Sequence, residues 1–171
     1  MGEITRAGAG ELSPPQPIAE RHRVADFSCG KSELDDFLRS RALKAEARTA
    51  RTYVVCKGDT VVAFYAIAMG SVQRAQTPGK LRRNAPDQLP VAILARMGVD
   101  SRLKGQGLGR ALLKDALQRI HQASTIIGAR AVLVHAIDEE VRPFYLKYGF
   151  VEYPADCRTL FLPIETLADA I

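Results

Sequence analysis

The sequence predicts an α/β protein built on a mixed, twisted central sheet with helices on its faces. Three observations carry this expectation. Two β-branched and aromatic runs, residues 52–56 and 61–69, flank Lys57-Gly58-Asp59-Thr60, whose composition suits a tight antiparallel turn. Two further runs, residues 89–100 and 129–137, are apolar almost throughout, as strands covered on both faces are. Between them, residues 107–123 set Leu108, Ala111, Leu112, Ala116, Leu117 and Ile120 at helical spacing. Strand, helix and strand in that order form a parallel crossover unit, and the hairpin adds antiparallel strands.

The remaining elements follow from local chemistry. Residues 1–17 hold three prolines and three glycines without an apolar period, so they read as a flexible leader ending near Pro17. A single domain is expected from residue 18 to residue 171. Ser32 suits an N-cap, and Leu34, Phe37, Leu38, Arg41 and Ala42 follow at helical spacing, as one helix or two short ones. Residues 70–89 read as a long polar loop. Residues 139–150 suggest a short helix ending at Gly149, and residues 151–163 two short strands before a last helical turn.

Composition narrows the function classes. With 171 residues, 47% of them hydrophobic and 25% charged, the chain has the balance of a globular protein with a real core. No apolar run approaches the roughly 18–20 residues needed to cross a bilayer, and the N-terminus lacks a secretory signal. No membrane partner and a cytoplasmic location are therefore expected. Cys29, Cys56 and Cys157 are widely spaced, odd in number and without a CxxC pair. That pattern speaks against disulfides and against a metal site, and suits a reducing compartment.

The net charge of +5 is unevenly placed. Between Phe37 and Arg83 lie Arg39, Arg41, Lys44, Arg48, Arg51, Lys57, Arg74, Lys80, Arg82 and Arg83, opposed only by Glu46 and Asp59. A one-sided basic surface attracts polyanions; a solvated helix face and a charged loop are the plainer explanation.

Residues 100–110, Asp-Ser-Arg-Leu-Lys-Gly-Gln-Gly-Leu-Gly-Arg, follow a strand and open a helix. Glycines there let the backbone approach a ligand, and the first helical N–H groups point outward unpaired. With Arg102, Lys104 and Arg110 alongside, this is an anion site suited to a pyrophosphate. A Walker loop would need Lys-Ser or Lys-Thr at the helix start. A dinucleotide fingerprint would need the glycines after the first strand of its unit and an acidic residue some 20 positions on. Neither fits.

Arg102-x-x-Gly105-x-Gly107 after a central strand resembles the acetyl-CoA signature of the GNAT family of N-acetyltransferases. Residues 144–150, Phe-Tyr-Leu-Lys-Tyr-Gly-Phe, resemble that family's FYxxxGF segment. The likeness covers roughly residues 18–163 and implies the GNAT fold, with about six to seven strands. It implies that acetyl-CoA pyrophosphate sits on the backbone from Gly105 through Gln106, Gly107, Leu108 and Gly109 to Arg110, near Arg102 and Lys104. It also implies that the pantetheine arm pairs with Met97-Gly98-Val99, where parallel strands splay, with Phe144 and Asp138 beside the cofactor. Tyr145 would protonate the departing thiolate of coenzyme A, a step a well-placed phenol can perform. One departure is visible: where many members have an asparagine contacting the pantetheine, this chain has Ile137-Asp138-Glu139-Glu140, and Asp138 also suits a helix cap.

Between Leu89 and Val99 there is no carboxylate to act as a base, and Asp100 lies at the end of the run. A lysine amine, with pKa about 10.4, would need one, whereas an α-amine near about 7.7–8.0 needs little help. A missing base and a basic surface favour an α-amine carried by a polyanion. Residues 27–38, Tyr53-Val54-Val55 and Leu94-Ala95-Arg96-Met97-Gly98-Val99-Asp100 resemble the GNAT toxins of bacterial toxin–antitoxin pairs. That likeness implies acetylation of the α-amine of aminoacyl-tRNA, a homodimer, and neutralisation by a ribbon-helix-helix antitoxin. It would assign Arg39, Arg41, Lys44, Arg48, Arg51, Arg74, Lys80, Arg82 and Arg83 to tRNA phosphates. A GNAT enzyme for a small amine or protein N-terminus, and a non-catalytic CoA-binding module, remain alternatives at this level.

Overall fold

A computed structural model describes residues 11–153 and 156–170. Its elements are β1 (Gln16–Pro17), α1 (Ser32–Ser40), α2 (Ala42–Ala45), β2 (Arg51–Lys57), β3 (Thr60–Gln73), α3 (Gly79–Arg82), β4 (Gln88–Val99), α4 (Leu108–Ser124), β5 (Ala131–His135), α5 (Arg142–Lys147), β6 (Val151–Tyr153), β7 (Asp156–Pro163) and α6 (Leu167–Ala170). The strands are hydrogen-bonded in the order β1-β2-β3-β4-β5-β7-β6. The β4–β5 pair is parallel, while the β1–β2, β2–β3, β5–β7 and β7–β6 pairs are antiparallel. The expected mixed sheet is thus present, with seven strands.

The chain forms two compact units, one of residues 1–67 and 96–116, the other of residues 68–95 and 117–171. In the first, β2 and β3 form the expected hairpin, Lys57 opposite Thr60 across Gly58-Asp59, with Gly58 at φ +60° as so tight a turn requires. Phe64 of β3 packs edge-on against Phe27 at 5.5 Å and stacks on Phe37 of α1 at 6.1 Å. Tyr65, also fully buried, stacks on Tyr53 and donates its hydroxyl to Asp115 of α4. In the second unit, Leu81, Ala85, Leu89, Val91, Ala131, Leu133 and Phe161 form the core cluster.

Three expectations change. Residues 11–17, the end of the expected flexible leader, are tied down. Ser13 N–H donates to the Cys56 carbonyl, Cys56 N–H donates to the Ser13 hydroxyl, and Gln16 pairs with Val54. The outer edge of β2 carries backbone groups that need partners, and this segment supplies them; residues 1–10 lie outside the described residues. Ser32 is the first residue of α1 rather than its cap: Lys31 takes the N-cap position without a side-chain bond, and the two short helices meet at Arg41. The polar stretch 70–89 is only partly loop, because β3 runs to Gln73 and α3 follows. Of its apolar residues, Leu81, Ala85 and Leu89 are buried, Val72 is half-buried and Ala75 is exposed.

Candidate active site

The glycine segment is built on a buried carboxylate. Asp100, 2% exposed, ends β4 and accepts the backbone N–H of Arg102 at 3.0 Å and of Ser28 at 3.3 Å. The Arg102 guanidinium closes a fork on the same carboxylate, Nε to Oδ1 at 2.9 Å and a terminal nitrogen to Oδ2 at 3.0 Å. These bonds, Arg102's first, hold the carboxyl down at about 2. Asp100 is therefore a permanent anion with its lone pairs engaged, unsuited to general-base work. Around it, Asp100 N–H donates to the Val62 carbonyl, Ser101 N–H to the Ser28 carbonyl, and Lys104 Nζ to the Cys29 carbonyl. The buried Asp35 of α1 in turn accepts the Cys29 N–H at 2.9 Å.

Beyond this clasp the backbone turns through Gly105 at φ +80° and Gly107 at φ +83°, a region side chains other than glycine rarely enter. The Gly107 carbonyl accepts the Ala111 N–H at 3.1 Å and so starts α4. The N–H groups of Leu108, Gly109 and Arg110 then precede the first intrahelical bond, at the positive end of a 17-residue helix. Gln106 and Arg110 are exposed. Of the three expected cations, Arg102 and Lys104 are thus engaged by the protein itself, one by Asp100 and one by Cys29. The close approach at Gly98 also has a partner in the protein: a Cβ there would meet Phe64 at 3.2 Å and the Cys29 sulfur at 3.5 Å. Met97 and Val99 are half-buried. The parallel β4–β5 ladder joins residues 91–93 to residues 131–133, after which β4 continues to Val99 while β5 ends at His135.

In the second unit, Tyr145 is 7% exposed on α5, and burial pushes its phenol well above the ordinary tyrosine value. The helix end explains the spacing of the aromatic segment. Phe150 N–H donates back to the Tyr145 carbonyl at 3.3 Å, Gly149 N–H to the Leu146 carbonyl at 3.1 Å, and Gly149 takes φ +93°. This is a Schellman cap, whose usual apolar contact is here the Tyr145–Phe150 ring pair at 5.5 Å. Phe144 packs edge-on against Tyr145 at 5.2 Å and against Tyr148 at 5.2 Å. Arg142 fixes the other end of α5 with bonds to Glu152 and Glu139. Asp138 accepts the N–H of Glu140 at 2.9 Å and of Val141 at 3.3 Å, capping the turn before α5 rather than the helix, which begins at Arg142.

The basic residues divide by what they hold. Arg82 donates to the Thr77 and Ala75 carbonyls, Arg74 to the Ala85 carbonyl and Asp87, and Arg39 to the Phe27 carbonyl. Arg51 pairs with Glu46 at 3.3 Å. Arg41 lies 5.6 Å from the centre of the Phe37 ring. Arg96, outside the expected basic segment, lies 4.9 Å from the same ring; its place in an apolar strand hid it. Lys44, Arg48 and Arg83 are exposed, and the Lys80 side chain lies outside the described residues. Among the described residues no cluster could hold a metal, and no helix is long and apolar enough to cross a membrane.

A mixed sheet with helices beside it fits the acetyltransferase fold, and residues 33–159 match the acetyltransferase (GNAT) domain. The chain belongs to the GNAT family. A tRNA-acetylating toxin of Mycobacterium tuberculosis is 46% identical over 151 residues, spanning 88% of this chain and 91% of that protein. A probable toxin TacT of Sinorhizobium fredii is 35% identical, spanning 95% and 96%. Among solved structures, AtaT complexed with acetyl-methionyl-tRNAfMet superposes with a TM-score of 0.84 at 24% identity, covering 92% of this chain and 98% of that one. AtaTR bound with AcCoA superposes with a TM-score of 0.80 at 25% identity, covering 92% and 96%.

The depressed Asp100 carboxyl has a consequence for acid stability. Its stabilisation, about 2 kcal/mol, is fully present above the unfolded value near 3.9 and is lost as pH falls through about 2. Asp100→Asn should therefore lower unfolding stability at neutral pH and flatten its decline between about pH 4 and about pH 2, measured by urea unfolding across that range. Parallel curves for the two proteins would remove Asp100 as the anchor.

Proposed function

We propose that residues 18–171 form a single catalytic domain, an N-acetyltransferase toxin that moves acetyl from acetyl-CoA to the α-amine of aminoacyl-tRNA and so blocks translation. The observation that carries this reading is the 46% identity to a tRNA-acetylating toxin across 91% of that protein's length. Catalysis by a homodimer, in the cytoplasm, under control of a ribbon-helix-helix antitoxin belongs to the same proposal.

The chemistry asks little of the chain. Backbone N–H groups from Gly105 to Arg110 hold the pyrophosphate with the helix dipole behind them. The strand edge at Met97-Gly98-Val99 pairs with the pantetheine amides, and Phe144 and Asp138 flank the cofactor. The amine attacks the thioester carbonyl, the carbon–sulfur bond breaks, and Tyr145 gives its proton to the thiolate. A phenol that burial keeps protonated has that proton to give. Exposed Lys44, Arg48 and Arg83 supply phosphate contacts, as does Arg41. Arg39, Arg51, Arg74 and Arg82 belong to the same set while also bonding within their own units, and Lys80 belongs to it by sequence.

Three measurements test these roles. Gly107→Val forces a branched side chain to φ +83°, so acetyl-CoA affinity should fall at least about tenfold by calorimetry; unchanged affinity rejects the loop as the cofactor site. Arg48→Glu with Arg83→Glu should weaken tRNA binding and reduce the salt slope by about 1 per contact, leaving acetyl-CoA affinity intact. An equal rate on charged tRNA and on small amines would instead favour a small-amine enzyme. Tyr145→Phe keeps the Phe144 and Phe150 contacts but should slow single-turnover acetylation about 10²–10⁴-fold without changing the melting temperature. A parental rate would leave Tyr145 a core residue.

A further inference from the structure

We propose that His135 takes the proton from the attacking amine, held in one tautomer by a relay through Thr159 to Asp156. The proposal rests on the aminoacyl-tRNA reading and deepens it by naming the proton acceptor at that site.

His135 is the last residue of β5 and pairs with Thr159 of β7. Its Nδ1 lies 3.1 Å from the Thr159 hydroxyl, which donates to Asp156 Oδ2 at 2.7 Å. Asp156 also accepts the Arg158 N–H at 3.1 Å, and these bonds, the Thr159 hydroxyl's first, hold its carboxyl below the usual range. An ionised carboxylate has no proton to offer, and the single hydroxyl proton of Thr159 points at it. Nδ1 must then be the donor to the Thr159 oxygen, so in the neutral ring the lone pair is on Nε2. Thr159, the middle of the relay, is buried, while Asp156 and His135 at its two ends are exposed. A base held by a second group that is itself held by a third is the arrangement that activates an attacking nucleophile.

Position and need agree. The parallel ladder ends at Ile93 and Leu133, two residues before His135, and ligands of parallel sheets bind beyond the carboxyl ends of such strands. Asp100, the carboxylate at the end of β4, is excluded as a base by its own bonds. Charged and titratable groups near the relay include Arg158 of β7, Tyr153 of β6, which pairs with Asp156, and Glu139, which lies 3.8 Å from Arg158. Protons balance. As the amine nitrogen bonds to the acetyl carbon and the carbon–sulfur bond breaks, the nitrogen's proton passes to Nε2 and the thiolate takes one from Tyr145. Imidazolium and phenolate then return to their starting states by exchange with water.

The test is single-turnover acetylation of aminoacyl-tRNA by the unmodified protein, His135→Gln, Thr159→Val and Thr159→Ser, each with a melting curve. His135→Gln should slow the chemical step about 10²-fold with KM for both substrates unchanged. Thr159→Val should slow it about tenfold, and Thr159→Ser, which keeps the hydroxyl, should restore it. Both losses should shrink from about pH 7 to about pH 9, where more of the amine is already neutral. A parental rate per folded molecule in His135→Gln overturns the proposal, as does a serine variant as slow as the valine one. Should the unmodified protein fail to acetylate charged tRNA, the parent reading falls and the proposal with it; slow variants beside an active parent separate the two cases.

Discussion

The first unit depends on keeping one carboxylate, that of Asp100, charged and buried. Burying a charge is expensive unless every lone pair is engaged, and here two backbone N–H groups and a guanidinium fork engage them. The bonds reach residues 28 and 102, far apart in sequence, so one side chain fixes the end of β4, the turn after it and the segment entering α1. The glycine turn that follows can then be free of side-chain ties and still be placed. Arg102, a cation that sequence spacing suggests for phosphate, is first of all the partner that makes this buried anion tolerable. Positive potential at the helix start then rests more on backbone dipoles than on side chains, which suits a ligand approached by N–H groups.

The aromatic segment obeys a different constraint. A six-residue helix is too short to hold itself, and α5 is held from both ends. Arg142 ties its start to Glu139 and Glu152, and the Schellman cap closes its finish on the carbonyl of Tyr145 itself. The spacing from Tyr145 through Gly149 to Phe150 is therefore the spacing of the cap. Gly149 supplies the left-handed residue and Phe150 the apolar contact. A tyrosine locked at the third residue from a helix end has little freedom left to lose, which is the physical meaning of preorganisation.

Much of this was legible beforehand, for identifiable reasons. Long runs of one period declare themselves: the hairpin, β4, α4 and β5 appear within a few residues of where apolar spacing puts them. What periodicity misses is pairing by single residues. Residues 11–17 show no strand pattern, yet they satisfy the edge of β2 through Ser13 and Gln16. The stretch 70–89 looks polar because most of its side chains are, while Leu81, Ala85 and Leu89 decide where it packs. The glycine turn was readable because positive φ restricts the residue type, whereas the Asp100 clasp was not, since its partners are mostly main-chain atoms with no signature. Ser32 shows the opposite error: a good capping residue sits one position too late.

The arginines carry the same lesson into electrostatics. A charge count treats all nine candidates alike, but a guanidinium bonded to carbonyls, as in Arg82, keeps its charge while losing its freedom to move. Such a group still raises the local potential that steers a polyanion, and it does so from a fixed point. Arg48 and Arg83 are exposed. A reversal at Arg82 would disturb the turn at residues 75–77 directly. The proposed proton acceptor is subject to the same logic: His135 is informative because Thr159 and Asp156 make its Nδ1 the donor toward the Thr159 oxygen. In this chain, chemistry is assigned most securely where neighbouring bonds have removed a group's alternatives.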